Sequence, residues 1–228
     1  SIVSGHYAIA DDHSFNSHLK EYAFRDLLLG LLVTSERKFS GSARQEISFL
    51  FHRFHLEHVA WQNLKKKKNH LVVAGIQELT AMGIAQALPK LISLLKHSDK
   101  LVYQEAQYAV ITFKGFVGLS FLNTLETPLS DWQQLRLLDS IIEIPDAHDL
   151  SAASWLASTN VTVIIFTLRL IRKFQLLSFY HVVLKLLDHD HVPVRREAVR
   201  TLEALENEDT INQFIETFAQ QAQPVQLE

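Results

Sequence analysis

Residues 184–205 read LKLLDHDHVPVRREAVRTLEAL: a helix, a short acidic turn and a second helix. Leu184, Leu186 and Leu187 close one apolar face, and Asp188, His189, Asp190 and His191 form a polar break. Pro193 follows where a first helical turn tolerates a missing amide donor. Val194, Ala198, Leu202 and Leu205 then fall at i, i+4, i+8 and i+11, one apolar stripe at helical period. Small Ala198 invites a neighbouring helix to approach closely. One hairpin cannot bury its own face, so a stack of such hairpins is expected.

Working outward, helical spacing continues in both directions and no segment alternates at period two over a useful length. Phe15, Leu19, Tyr22, Ala23, Leu27 and Leu31 are expected on one buried face of a helix beginning near Ser14. A second helix is expected over residues 42–64, capped by Ser42 with Gln45 three residues on. Further helices are expected over 71–81, 88–95, 101–113, 119–125, 150–156, 179–187, 192–205 and 209–220. Ser130 should cap a helix carrying Trp132, Leu135, Leu138 and Ile142, and Asn160 one running to Phe174. The expectation is an all-α chain.

Internal repetition sharpens it. His97, Val102 and the Glu105-Ala106 pair lie against His189, Val194 and Glu197-Ala198, an offset of 92 residues. That is about twice the unit of common helical repeats. A third copy places Val163, Thr167, Leu170 and Ile171 against Val102, Ala106, Ala109 and Val110, displaced by what reads as an insertion over residues 128–157.

The motif Leu186-Leu187-x-His-Asp-x-x-Pro-Val-Arg195-x-Glu-Ala198 resembles the second half of a HEAT repeat. The resemblance implies a right-handed α-α superhelix of stacked antiparallel helix pairs, with Asp190 in the turn coupled to Arg195. Tyr103 and Ile164 stand where the other copies would carry that arginine. Gly115-Phe116-x-Gly118-Leu-x-Phe121-Leu122, Trp132-Gln-Gln and Val163-Ile-Ile-Phe-x-Leu-x-Leu-Ile are similar to HEAT-repeat proteins of Bacteroidetes-type bacteria. The likeness spans about residues 35–215 and implies a cytoplasmic helical domain of unassigned function behind a membrane segment upstream of Ser1. The expected organisation is a lead-in at 1–13, one α-solenoid domain at 14–222 with degenerate repeats near 69–114, 130–175 and 178–206, and a tail at 223–228.

Composition narrows the chemistry. Among 228 residues, 47% are hydrophobic and 21% charged, the profile of a globular chain. With 0 Cys there is no disulfide, thiol nucleophile or thiolate metal site, which suits a reducing compartment. A net charge of −3 supplies no global field for nucleic acid or an anionic membrane. The apolar runs at 27–33 and 161–166 are far short of the roughly 20 residues of a membrane span. Ser1 is not an initiator Met, so the chain is read as a piece of a longer protein.

No constellation commits to a reaction. His52, His55 and His58 recur around Glu57, but on one helix they would spread over about 120°, too wide for zinc. No His-Glu dipeptide of metal-dependent HEAT hydroxylases occurs. The Asp188-His189-Asp190-His191 run reads as a helix-capping turn that neutralises Arg195 and Arg196, and the lysines at 65–68 as a solvated turn. No nucleophile elbow or Gly-rich phosphate loop is present. Trp61, Trp132 and Trp155 are expected to pack between helices, though in HEAT-like DNA glycosylases such residues line a basic cleft holding a catalytic Asp.

The expected function is therefore a non-enzymatic scaffold binding a protein or peptide, without cofactor or metal. Stacked helix pairs present an extended concave surface. Its contacts are expected at Gln104, Tyr108, Arg169, Arg196 and Arg200, with Arg196 and Arg200 four residues apart to grip an acidic partner segment. The alternative is a HEAT-like nucleic-acid binder or glycosylase.

Overall fold

The structure, a computed structural model, describes residues 13–36, 38–144 and 149–205. The chain is all-α, with no strand among the described residues. The helix expected over 209–220 and both terminal tails fall outside them, apart from His13.

The chain divides into two compact units, residues 1–113 and 114–228. The first contains α1 (His13–His18), α2 (Tyr22–Glu36), α3 (Ser42–Arg53), α4 (Glu57–Leu64), α5 (Asn69–Ala81), α6 (Leu88–Leu94) and nearly all of α7 (Lys100–Lys114). The second contains a 3-10 stretch (Gly115–Thr124), α8 (Asp131–Ser140), α9 (Asp149–Leu156), α10 (Val161–Lys173), α11 (Tyr180–Lys185) and α12 (Val192–Ala204). Among the described residues, no helix is long and apolar enough to cross a membrane.

Repetition is more regular than the sequence comparison implies. Helices α5, α7, α8, α10 and α12 begin at residues 69, 100, 131, 161 and 192, in steps of 31, 31, 30 and 31. The 92-residue offset is thus three units of about 31, not two longer ones, and the helix starts at Asp131 and Val161 keep that spacing through the stretch read as an insertion. Equivalent positions share an environment. Val72, Val102, Gln133, Val163 and Val194 are all buried, as are Ile76, Ala106, Leu137, Thr167 and Ala198. The lead-in turn repeats too. The amides of Asp99, Asn160 and His191 donate to His97 Nδ1, Ser158 Oγ and His189 Nδ1 at 3.0, 3.1 and 3.1 Å. Each acceptor stands three residues before its helix.

In the first unit, α5 packs on α4 and α2. Gly75 makes the close α4 contact feasible: a Cβ there would lie 2.5 Å from Leu64 N and 2.9 Å from Ala60 O. The helix expected over 42–64 is broken. Phe54, His55 and Leu56 close a left-handed turn with His55 at φ 50°, the Leu56 amide donating to Phe51 O at 3.1 Å. Arg25 of α2 donates to the His55 carbonyl at 2.6 Å and helps hold that turn. Ser42 is the first residue of α3 rather than its cap. The helix expected from Ser14 is also interrupted, between His18 and Tyr22. Within α2 the buried face is Leu28, Leu29, Leu32 and Val33, while Tyr22, Ala23, Leu27 and Leu31 of the expected face are exposed.

In the second unit both expected caps form. Ser130 Oγ accepts from the Gln133 amide at 3.3 Å, and Asn160 Oδ1 from the Thr162 amide at 3.1 Å. Asn160 Nδ2 also donates to the carbonyls of Leu125 and Thr127, both at 3.0 Å, fixing the loop to the helix start. On α8 the expected face is wrong. Gln133, Gln134, Leu137 and the following Ile141 are buried, whereas Trp132 and Leu135 are exposed and Ile142 lies beyond the helix in solvent.

Candidate partner-binding face

Helix α10 packs against both α8 and α12. Arg169 at the middle of α10 ties the three together. Its Nη1 donates to Asp131 Oδ1 at 3.0 Å and Gln134 Oε1 at 3.1 Å on α8, and its Nε to Glu197 Oε2 at 3.3 Å on α12. Arg172 reaches the other Glu197 oxygen at 2.7 Å, so a nearly inaccessible carboxylate sits between two guanidinium groups. A buried carboxylate without such partners would be strongly disfavoured. Lys173 donates to the carbonyls of Leu138 and Ile141, a cation at the C-terminal end of α8.

Above this network lies a cavity of about 510 Å³ whose lining includes Ser130, Asp131, Thr162, Ile165, Arg169, Pro193, Arg196, Glu197 and Arg200. Three of the five expected contact residues, Arg169, Arg196 and Arg200, therefore share one cavity. Arg169 differs from the expectation in being largely covered and committed to Asp131, Gln134 and Glu197. It shapes the site more than it reaches out of it. Arg196 is half-buried and Arg200 exposed. Gln104 and Tyr108 are half-buried on α7 of the first unit. In the 31-residue register they correspond to Arg196 and Arg200.

The turn before α12 also departs from expectation. His191 occupies the cap position without a side-chain hydrogen bond. Arg195 Nη1 donates to the carbonyls of His189 and Asp190, at 2.6 and 3.2 Å, so the Asp190–Arg195 link runs through the backbone. The corresponding Asp99 does cap its helix. Its Oδ1 accepts from Val102 at 3.2 Å and Leu101 at 3.0 Å, and Oδ2 accepts from Asn69 Nδ2 at 2.7 Å. Chiefly the Val102 amide, with Asn69 and Leu101 adding, holds the Asp99 carboxyl below its ordinary range.

Two polar clusters occupy the first unit. Asn63 of α4 accepts from Tyr22 Oη at 3.0 Å and donates to Asp26 at 3.3 Å and to both Glu78 oxygens, at 3.3 and 3.2 Å. Burial drives the Glu78 pKa up to about 7, the nearby Asp26 charge adds to the rise, and the Asn63 hydrogen bond opposes it. Burial, then the Asp26 and Glu78 charges, also raises Tyr22. The second cluster, His52, His55, Glu57, His58 and Trp61, lines a cavity of about 400 Å³ at the α3–α4 turn. Glu57 is held by Trp61 Nε1 at 3.2 Å, and His58 by Gln62 at 2.9 Å. Among the described residues, no three His, Asp or Glu side chains are placed to hold a metal ion.

The tryptophans divide three ways. Trp155 is buried and donates to Asn123 at 2.6 Å, Trp61 is half-buried, and Trp132 is 73% exposed. Sequence reading missed Asp131, Gln134 and Glu197 as organisers of the arginine site. The signal was the Glu-Ala pair itself, since Glu105 and Glu197 both precede a buried alanine and are buried themselves. No protein-family model matches this chain, and no curated protein matches it either.

Proposed function

We propose that this chain is a non-enzymatic scaffold of HEAT-like helix pairs that binds a protein or peptide through an acidic segment. The supporting observation is the cavity of about 510 Å³ in which Arg196 and Arg200 stand above an Arg169 already locked by Asp131, Gln134 and Glu197. Paired guanidiniums match carboxylates geometrically, and each contact is charge-assisted. Gln104 and Tyr108 are the equivalent contacts on α7. The recurrence of α5, α7, α8, α10 and α12 every 31 or so residues supports an architecture of repeated helix pairs. The absence of cysteine fits a cytoplasmic setting, which the HEAT resemblance extends to the inner face of a membrane through an anchor outside this sequence.

The test is fluorescence anisotropy with a labelled oligoglutamate peptide. Each charge-assisted contact contributes about 1.5–3 kcal/mol, so Arg196→Glu with Arg200→Glu should weaken binding at least 100-fold while the circular dichroism spectrum stays unchanged. Unaffected affinity rejects the face. Duplex DNA in the same assay is the contrast: tight binding that falls steeply with salt would favour the nucleic-acid alternative.

A further inference from the structure

We infer that the segment recognised here is amphipathic, with a bulky apolar residue seated on Trp132 and Leu135 and acidic residues on Arg196 and Arg200. The inference rests on the acidic-segment reading above and adds a second half to the ligand. Trp132 is 73% and Leu135 59% exposed, a large apolar area for two neighbouring positions of one helix. Both are displaced from the core because α8 turns Gln133, Gln134 and Leu137 inward. In the 31-residue register Trp132 corresponds to Thr162 and Pro193, and Leu135 to Ile165 and Arg196. Thr162, Ile165, Pro193 and Arg196 all line the cavity. The cavity's own lining on α8 is Asp131 and Gln134; Trp132 and Leu135 stand beside them, at the register positions that line it on α10 and α12, so the positions in register change from cationic on α12 to apolar on α8.

The cavity's charge is lopsided in the same direction. Asp131, at the start of α8, pairs with Arg169, and α12 contributes two cationic side chains to the lining, Arg196 and Arg200, one turn apart. An acidic end of a ligand is thus drawn to α12 and an aromatic or aliphatic end to α8. Neighbouring helix axes lie about 8–10 Å apart, so two such steps from α8 to α12 cover roughly 16–20 Å. At about 3.3 Å per residue, an extended peptide crosses that distance in roughly five or six residues. The recognised pattern is an apolar anchor followed, about five residues away in either chain direction, by two or more carboxylates.

Two fluorescein-labelled peptides of equal length and charge separate this inference from the reading beneath it. One carries Phe and Leu five residues from a Glu-Glu-Glu cluster, and the other has Ser at both apolar positions. The intact chain should bind the first at least tenfold more tightly than the second. Trp132→Ala should erase that difference while leaving the Ser peptide's affinity unchanged, and Arg196→Glu with Arg200→Glu should weaken both peptides. Equal affinity for the two peptides, or no effect of Trp132→Ala, overturns the apolar anchor and leaves the acidic-segment reading standing. Failure of the intact chain to bind either peptide overturns both.

Discussion

Glu78→Gln should make the first unit more stable at alkaline pH and leave it nearly unchanged in mild acid. In the folded chain the Glu78 pKa lies at about 7 against an ordinary 4.5. Between those values the folded state holds a proton that the unfolded state has released. Stability therefore falls as pH rises through this window: the contribution is fully present below about 4.5 and gone above about 7. A rise of about 2.5 pKa units corresponds to roughly 3 kcal/mol at about 1.4 kcal/mol per unit. Glutamine keeps the shape and removes the ionisation, together with the repulsion from Asp26. Urea unfolding followed by circular dichroism, for both proteins from pH 4.5 to 8.5, gives the stability difference at each pH. Other titrating groups are common to the two proteins and cancel in that difference. The difference should be within about 0.5 kcal/mol at pH 4.5 and grow to between about 1 and 3 kcal/mol by pH 8, with the sign favouring the glutamine variant throughout. Curves that stay parallel across the range would refute the buried, protonated Glu78.

Two further substitutions probe packing and capping. Gly75→Ala should destabilise the first unit by about 1–3 kcal/mol in urea unfolding, because its Cβ would meet backbone atoms of Leu64 and Ala60 that cannot turn aside. Asn160→Ala removes one capping acceptor and two donated bonds to the carbonyls of Leu125 and Thr127. It should destabilise the second unit by about 2 kcal/mol and speed hydrogen exchange in the first turn of α10.

Features set by neighbours in sequence are legible in the sequence alone. Ser130 and Asn160 cap their helices through bonds spanning two or three residues, and the stripe through Val194, Ala198 and Leu202 is buried as its period requires. The break at His55 was not legible, because a non-glycine residue adopts the left-handed turn there and leaves no compositional mark. Gly83 occupies the same conformation with the usual residue. Helix α8 misled for another reason. It buries two glutamines and exposes a tryptophan and a leucine, so its apolar period points away from the core and reads as part of an insertion. Burial of Glu78 depends on Asn63 and on α2, partners 15 and more residues distant, which no local pattern encodes.

Of the candidate contacts, Arg196 and Arg200 follow from their positions flanking the apolar stripe and their four-residue spacing, and both line one cavity with Arg169. What the stripe and the spacing do not supply is the role of Arg169. Its three partners come from two other helices, brought together only by packing of α8 and α12 on α10.

Hydrogen exchange of the chain with and without a saturating acidic peptide tests the binding face most directly. The account predicts slowed exchange in α10 and α12, centred on the fragments that hold Arg169, Arg196 and Arg200. Protection confined to the histidine cavity at the α3–α4 turn, or no protection with the peptide demonstrably bound, would contradict it.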